Sequence, residues 1–450
     1  MFLSRLARCG LSGVLRGPAR PLGSLGGCRR PQLSLAKPPP GPASVQTCGQ
    51  QTMRTDPLPV TATSCRVSAV EARHEERLVE VVWEDGYRSL YPYTWLRDNC
   101  QCPDCTLQSA QARSLLLSQL DVYTGVHTAQ VTDNNQVSIV WPDQHVSHFE
   151  QRWLRKRCFS PASRQAMQEE LFVNERIYWG SELHFPTADF QEVLTDDKAA
   201  LAWLLALRRV GMVYLRGAPS EEGQLVRLSE RIGFLRMTFY GPTWRVQDKP
   251  MAVNVAYTSG DLSLHTDYPA LHYTPGVQLL HCIEQAQQGG ESMVVDGFHA
   301  AEVLRREDPQ AFGTLSSLRA DFTDVGRDYC DFMVQAKQCI IDVDCEGRVA
   351  RINLNNATRD SVLDLPLQQV QEFYRALKAY SDIMNRPKNV VSYRMEPGDI
   401  VTFDNGRLLH GRKSYTSSGQ RRRLLEGAYL DWDEVMSRLR ILRKAVGGEC

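Results

Sequence analysis

The stretch Leu264-His265-Thr266-Asp267-Tyr268-Pro269-Ala270 holds the only His-x-Asp in the chain. On an extended segment side chains alternate with period two, so a histidine and a carboxylate two residues apart face the same way. Both are then placed to ligate one metal ion. A third donor must come from elsewhere, and His410 in Phe403-Asp404-Asn405-Gly406-Arg407-Leu408-Leu409-His410-Gly411-Arg412 is the best candidate. Two histidines and one carboxylate on one face, with open coordination positions, form the facial triad of non-haem Fe(II) oxygenases. The blander alternative is a loop that His265 caps and Asp267 solvates. The distal histidine, and an arginine beyond it, favour the metal.

Short strand signals surround this stretch. Residues 277–283 alternate, and 292–295, 350–354, 400–403 and 424–429 read as further strands. Residues 366–384 read as a helix with Pro366 near its first position and Val370, Phe373, Leu377, Tyr380 and Met384 on one apolar face. Upstream, 198–211 is a helix with a Gly stop, 212–215 a strand and 221–232 a second helix. Short strands with helices to one side indicate an α+β oxygenase domain over 186–445. Its expected form is a double-stranded β-helix, a jelly-roll or cupin-like double sheet with the metal inside.

An ion held by three protein ligands keeps room for O2 and a bidentate co-substrate. 2-Oxoglutarate chelates through its keto oxygen and the adjacent carboxylate. Its far carboxylate then needs a cation, and the planar fork of Arg fits best. Arg423, at the head of the strand after His410, is the candidate. Arg421 and Arg422 are the alternatives, and strand parity must separate them.

Residues 66–155 form a smaller β-rich module. A hairpin turns at Asp85-Gly86, a favoured two-residue turn, and a further strand covers 137–141. Between them lies Cys100-Gln101-Cys102-Pro103-Asp104-Cys105. Three thiolates this close repel unless a cation holds them, and tetrahedral zinc needs one more donor. His145 is the nearest sensible one, with His127 and His148 behind it. The alternative is a set of buried thiols or one local disulfide. The chain's 13 cysteines are otherwise scattered, which suits a reducing compartment.

Fifty-two basic and 52 acidic residues balance to zero, so no basic domain points to nucleic acid. No apolar run is long enough for a membrane span. Residues 1–55 differ from the rest: they contain eight Lys or Arg and no Asp or Glu. That composition reads as a mitochondrial transit peptide. The alternatives are a plain extension, or initiation at Met53 with a cytoplasmic product.

Longer stretches carry a family resemblance. They are Trp95-Leu96-Arg97-Asp98-Asn99-Cys100, Tyr178-Trp179-Gly180-Ser181-Glu182-Leu183, Thr238-Phe239-Tyr240-Gly241, His265-Thr266-Asp267-Tyr268-Pro269-Ala270-Leu271-His272, Asn355-Asn356-Ala357-Thr358-Arg359-Asp360 and Leu425-Glu426-Gly427-Ala428-Tyr429. Over residues 66–445 the chain resembles the gamma-butyrobetaine hydroxylase/trimethyllysine dioxygenase family of 2-oxoglutarate-dependent Fe(II) dioxygenases. The resemblance implies that His265, Asp267 and His410 hold iron, that Arg423 holds 2-oxoglutarate, and that Cys100, Cys102, Cys105 and His145 hold zinc. It places a trimethylammonium cage on Tyr240, Trp244, Tyr257 and Tyr429, and substrate-carboxylate contacts on Asn254, Tyr268 and Asn355. A quaternary ammonium has no N–H to donate, so aromatic faces must hold it.

The implied reaction is hydroxylation of gamma-butyrobetaine at C3 to L-carnitine, with ascorbate as reductant, in a homodimer. Trp432–Leu442 is an amphipathic tail suited to pairing chains. The rival substrate is N6-trimethyllysine, and the rival of another class is a non-catalytic zinc and cupin scaffold. One departure stands out: the family usually has Trp after Asp404-Asn405, where this chain has Gly406.

Overall fold

The computed structural model describes residues 65–249, 252, 254–416 and 423–447. The leader 1–55, Met53, Arg421 and Arg422 lie outside the described residues. Those described fall in one compact unit, Leu58–Cys450.

The N-terminal part is two three-stranded antiparallel sheets, Val67–Arg73, Leu78–Trp83, Arg88–Pro92 and Thr128–Val131, Val137–Val140, Val146–Phe149. The expected turn at Asp85-Gly86 forms, with Gly86 at φ 80°. Each sheet uses the same device at its hairpin. Trp83 Nε1 donates to Ser89 Oγ and Trp141 Nε1 to Ser147 Oγ, both at 2.8 Å. Each indole is thereby buried with its one polar group satisfied. Trp83, Tyr91, Tyr93, Trp141 and Phe149 fill a core of their own.

The remainder mixes helix and sheet. A six-stranded sheet runs in the order Thr243–Val246, Leu424–Leu430, Val277–Glu284, Ile400–Asp404, Met212–Arg216, Thr187–Asp189. A four-stranded sheet runs Leu262–His265, Leu408–Arg412, Ser292–Asp296, Val391–Tyr393. One pocket takes lining residues from both sheets. Two buried clusters flank them. Helices Gly297–Glu307, Pro309–Ser317 and Leu367–Met384 build one, while Asp197–Val210 and Trp432–Gly447 build the other.

Several expectations change in detail. Pro366 is the N-cap of its helix, not its first residue. The 221–232 helix shortens to Gln224–Glu230 because Gly223 enters it at φ 92°. A hairpin of Arg319–Arg327 with Asp331–Cys339 forms where no strand was read. The C-terminal helix spends its apolar face inside the chain: Val435, Met436, Leu439 and Leu442 are all buried in the core. That face is therefore not free to pair two chains. Among the described residues no helix is long and apolar enough to cross a membrane.

Candidate active site

Register brings the two histidines together. Strand Leu262–His265 pairs antiparallel with Leu408–Arg412, and His265 stands opposite His410. The strand ends at His265, so Asp267 arrives by a different route from the alternation expected of it. Thr266 N donates to the Leu354 carbonyl at 2.7 Å, and Leu354 N returns a bond to Thr266 Oγ1 at 3.0 Å. The chain then turns sharply, with Tyr268 at φ 62°. A bulky residue in that left-handed region costs about 1–3 kcal/mol and persists only when its surroundings enforce it.

The enforcing group is Asn405, which the sequence reading missed as a functional residue. Its Oδ1 accepts from Asp267 N at 2.8 Å. Its Nδ2 donates to the carbonyls of Asp267 and Pro275, both at 3.0 Å. Asn405 is 1% exposed. An Asn at the end of a strand ordinarily signals only a turn, so the sequence carried no separate sign of the clasp. The same turn is anchored by a fully buried pair, Arg407 Nη2 to Asp296 Oδ2 at 2.7 Å.

Asp267 Oδ1 lies 3.2 Å from His265 Nε2 and 3.6 Å from His410 Nε2. Arms of about 2.1 Å at right angles to one ion would put such atoms about 3 Å apart, so the donor set fits a facially bound metal. His265 Nδ1 lies 2.8 Å from the Ser263 carbonyl, which leaves Nε2 aimed inward. The Tyr429 hydroxyl donates to Asp267 Oδ2 at 2.5 Å. Burial alone would raise the Asp267 carboxyl; His410, His265 and Tyr429 outweigh it and hold it well below the usual carboxylate range. Burial, then His265, pushes His410 down to about 3, so it is a neutral imidazole with a free lone pair.

Arg423 faces the pocket. Arg423, Leu425 and Tyr429 line the pocket, while Ala428 and Leu430 point into the opposite core. Arg423 is 4% exposed, its Nε has no partner among the described residues, and burial first, then Arg412, pushes it down to about 10. A desolvated guanidinium with a donor left over among the described residues is suited to a carboxylate.

All seven expected substrate residues line the same pocket, of ≈ 360 Å³, with the metal donors and Arg423. Trp244 lies across Gly427, where a Cβ would come within 2.5 Å of the indole, and its ring centroid is 4.4 Å from that of Tyr429. Tyr240 meets Tyr257 edge-on at 6.1 Å and Tyr268 at 6.0 Å. One face of Tyr257 already carries Lys249 Nζ at 4.0 Å, which leaves its other face for a ligand. Asn254 and Asn355 each spend Oδ1 on a backbone N–H two residues on, Ala256 at 2.9 Å and Ala357 at 3.0 Å. Their Nδ2 groups remain as donors, though that of Asn254 also reaches Tyr240 Oη at 3.3 Å. The buried Tyr268 hydroxyl has no partner among the described residues.

A second donor cluster sits in the N-terminal part. His145 Nε2 lies 3.2, 3.5 and 3.6 Å from the sulfurs of Cys100, Cys102 and Cys105. Tetrahedral arms of about 2.3 Å to sulfur and 2.0–2.1 Å to nitrogen give edges of about 3.6 Å, so this set also fits an ion. Burial pushes the Cys100 thiol up to about 12. Arg97 Nη1 donates to Cys105 Sγ at 3.4 Å.

Residues 170–429 match the family model "Taurine catabolism dioxygenase TauD, TfdA family", and residues 70–155 match "Gamma-butyrobetaine hydroxylase-like, N-terminal". The chain is 54% identical to the gamma-butyrobetaine dioxygenase of Homo sapiens over 85% of its own length and 99% of that protein. It is 34% identical to the gamma-butyrobetaine dioxygenase of Pseudomonas sp. (strain AK-1), over 81% of this chain and 94% of that one. Identity to the mitochondrial trimethyllysine dioxygenase of Mus musculus is 28%, over 84% and 89%.

Proposed function

We propose, from the premise that this chain belongs to the TauD, TfdA dioxygenase family and there to the gamma-butyrobetaine dioxygenases, that it hydroxylates gamma-butyrobetaine at C3 to give L-carnitine. The observation that carries this reading is the one pocket in which four aromatic rings, two amide donors and a tyrosine hydroxyl unpartnered among the described residues surround three metal donors.

Fe(II) held by His265, Asp267 and His410, together with 2-oxoglutarate, supplies the oxidising chemistry: O2 is consumed, C–H becomes C–OH, and the co-substrate leaves as succinate and CO2. The protein's own part is positioning. Arg423 takes the far carboxylate of 2-oxoglutarate. Tyr240, Trp244, Tyr257 and Tyr429 hold the trimethylammonium end by their ring faces. Asn254, Tyr268 and Asn355 hold the substrate carboxylate at the other end, so the middle of the chain faces the metal. Tyr429 does a second job, since its hydroxyl steadies Asp267. The fold we read as a double-stranded β-helix, because the chain passes repeatedly between the two sheets around this pocket.

One assay tests the substrate. Purified enzyme given 2-oxoglutarate and gamma-butyrobetaine or N6-trimethyllysine is expected to add one oxygen, seen by mass spectrometry, preferentially to the first. Trp244→Leu removes a π face while keeping apolar bulk. Desolvated cation–π contacts contribute about 2 kcal/mol or more, so kcat/KM should fall about 30-fold. The isostere with carbon in place of the quaternary nitrogen should bind wild type weakly and be indifferent to the substitution. Equal loss for charged and neutral ligands would make Trp244 a packing residue and end the cage assignment.

Zinc at Cys100, Cys102, Cys105 and His145, ascorbate as reductant and a homodimer through a surface other than the C-terminal helix complete the proposal. Omitting ascorbate should slow turnover, and sedimentation velocity reads the dimer. For the leader we propose mitochondrial targeting. A fluorescent reporter carrying residues 1–55 is expected in mitochondria, and a diffuse cytosolic signal refutes it.

A further inference from the structure

A second cavity, of ≈ 520 Å³, shares no lining residue with the active-site pocket. Four arginines line it, Arg176, Arg208, Arg348 and Arg351, against the carboxylates of Asp344 and Asp404. Arg348 is paired with Asp344 and Arg351 with Asp342, each at 2.8 Å. Arg176 and Arg208 have no ion-pair partner among the described residues. Their hydrogen bonds run only to backbone carbonyls, of Val173 and Glu175 for the first and of Phe172 for the second. Burial first lowers both guanidiniums, Arg176 to about 10, and Arg208 adds to the lowering of Arg176. The two half-buried cations line the same cavity. Such a pair is costly unless a counter-ion joins it.

Asp404 is the carboxylate whose charge partly offsets both arginines, one negative charge against two positive ones. It accepts from Gly406 N at 3.0 Å and Trp432 Nε1 at 3.4 Å and forms no close ion pair among the described residues; burial raises its carboxyl above the usual range, against the opposing pull of Arg208, Arg407 and Arg176. Arg208 lies over the Trp432 ring at 4.8 Å. Gly406 completes the wall. Its φ is not positive, so the backbone does not require glycine, and a Cβ there would meet nothing nearer than 3.5 Å. The space beside it is open for want of a side chain.

We propose that this cavity is a binding site for a compact dianion, a phosphate or a dicarboxylate, gripped between the guanidinium forks of Arg176 and Arg208. Planar forks match both anions bidentately, and the volume lies within the range of small-ligand sites. The site is independent of the substrate reading. Its wall is the 404–407 turn, whose Asn405 clasps the Asp267 loop, so an occupant would stiffen the segment that presents a metal donor.

Isothermal titration with inorganic phosphate, and separately with succinate, tests this at constant ionic strength set with chloride. Wild type should bind at least one of the two saturably. Arg423→Gln removes the co-substrate cation and should leave that binding in place. Arg176→Gln/Arg208→Gln should weaken it about tenfold or more, as expected for loss of charged hydrogen bonds. Gly406→Trp should abolish it by filling the space, and it remains decisive if the double variant fails to fold. No saturable binding of either anion in wild type overturns the proposal. So does binding that survives Gly406→Trp, or binding lost only with Arg423→Gln, which would assign the anion to the co-substrate site.

Discussion

Asp267→Ala is expected to cut succinate formation from 2-oxoglutarate to less than about a thousandth of the wild-type rate, without unfolding the protein. The size of the effect separates two roles. Loss of a group that merely orients a ligand costs about 10–100-fold, so a deeper loss marks a metal donor. The survival of the fold follows from the local bonding. Asn405 holds the backbone N–H and carbonyl of residue 267, and Thr266 and Leu354 hold the approach to it. None of these bonds uses the Asp267 side chain. What the substitution removes is the carboxylate between the two imidazoles and the acceptor of the Tyr429 hydroxyl. Succinate quantified alongside circular dichroism and a melting curve checks both halves. Turnover above about a thousandth would remove Asp267 from the donor set.

Cys102→Ser should lower zinc content and melting temperature together. Structural zinc binding is folding free energy, about 10–16 kcal/mol in small zinc domains. Here the donors come from the turn after helix Tyr93–Asp98 and from the hairpin between Val137–Val140 and Val146–Phe149. An ion there would crosslink two segments that otherwise share the aromatic core and the Arg97–Asp143 ion pair. That core remains in the variant, so partial and not total destabilisation is expected, a fall of roughly 10 °C. Metal analysis and calorimetry on the same samples decide it. Wild type without zinc, or a lowered melting temperature with zinc retained, sinks the assignment.

The site's chemistry was readable because its residue types are rare and specific. A single His-x-Asp, a distal His and a strand-head Arg left few combinations, and the expected aromatic and amide residues line one pocket with them. What the sequence hid was how these residues are held. Alternation suggested that Asp267 continues the strand of His265, yet the strand stops and a left-handed Tyr268 redirects the chain. Asn405 does its work through backbone groups of residues distant in sequence, and no local pattern encodes those partners. The C-terminal helix showed the same limit. Its apolar stripe was plain, but whether another chain or this one covers it depends on tertiary packing. The hairpin of Arg319–Arg327 and Asp331–Cys339 went unread because its aspartates mask the alternation of Ala320 and Phe322.

The pairing of His265 with His410 has a consequence for biosynthesis. The cysteine cluster and His145 are close in the chain and complete early in translation. The iron donors are complete only when the strand Leu408–Arg412 has emerged and inserted between Leu262–His265 and Ser292–Asp296. At ribosomal speeds of about 5–20 residues per second, tens of seconds pass between the two events. Non-local strand pairing is also slow to form. The nascent chain therefore offers a soft, sulfur-rich site to the cell's metal supply well before it offers a hard, nitrogen and oxygen one. Were the two sites to take zinc and iron as proposed, they would become available one after the other.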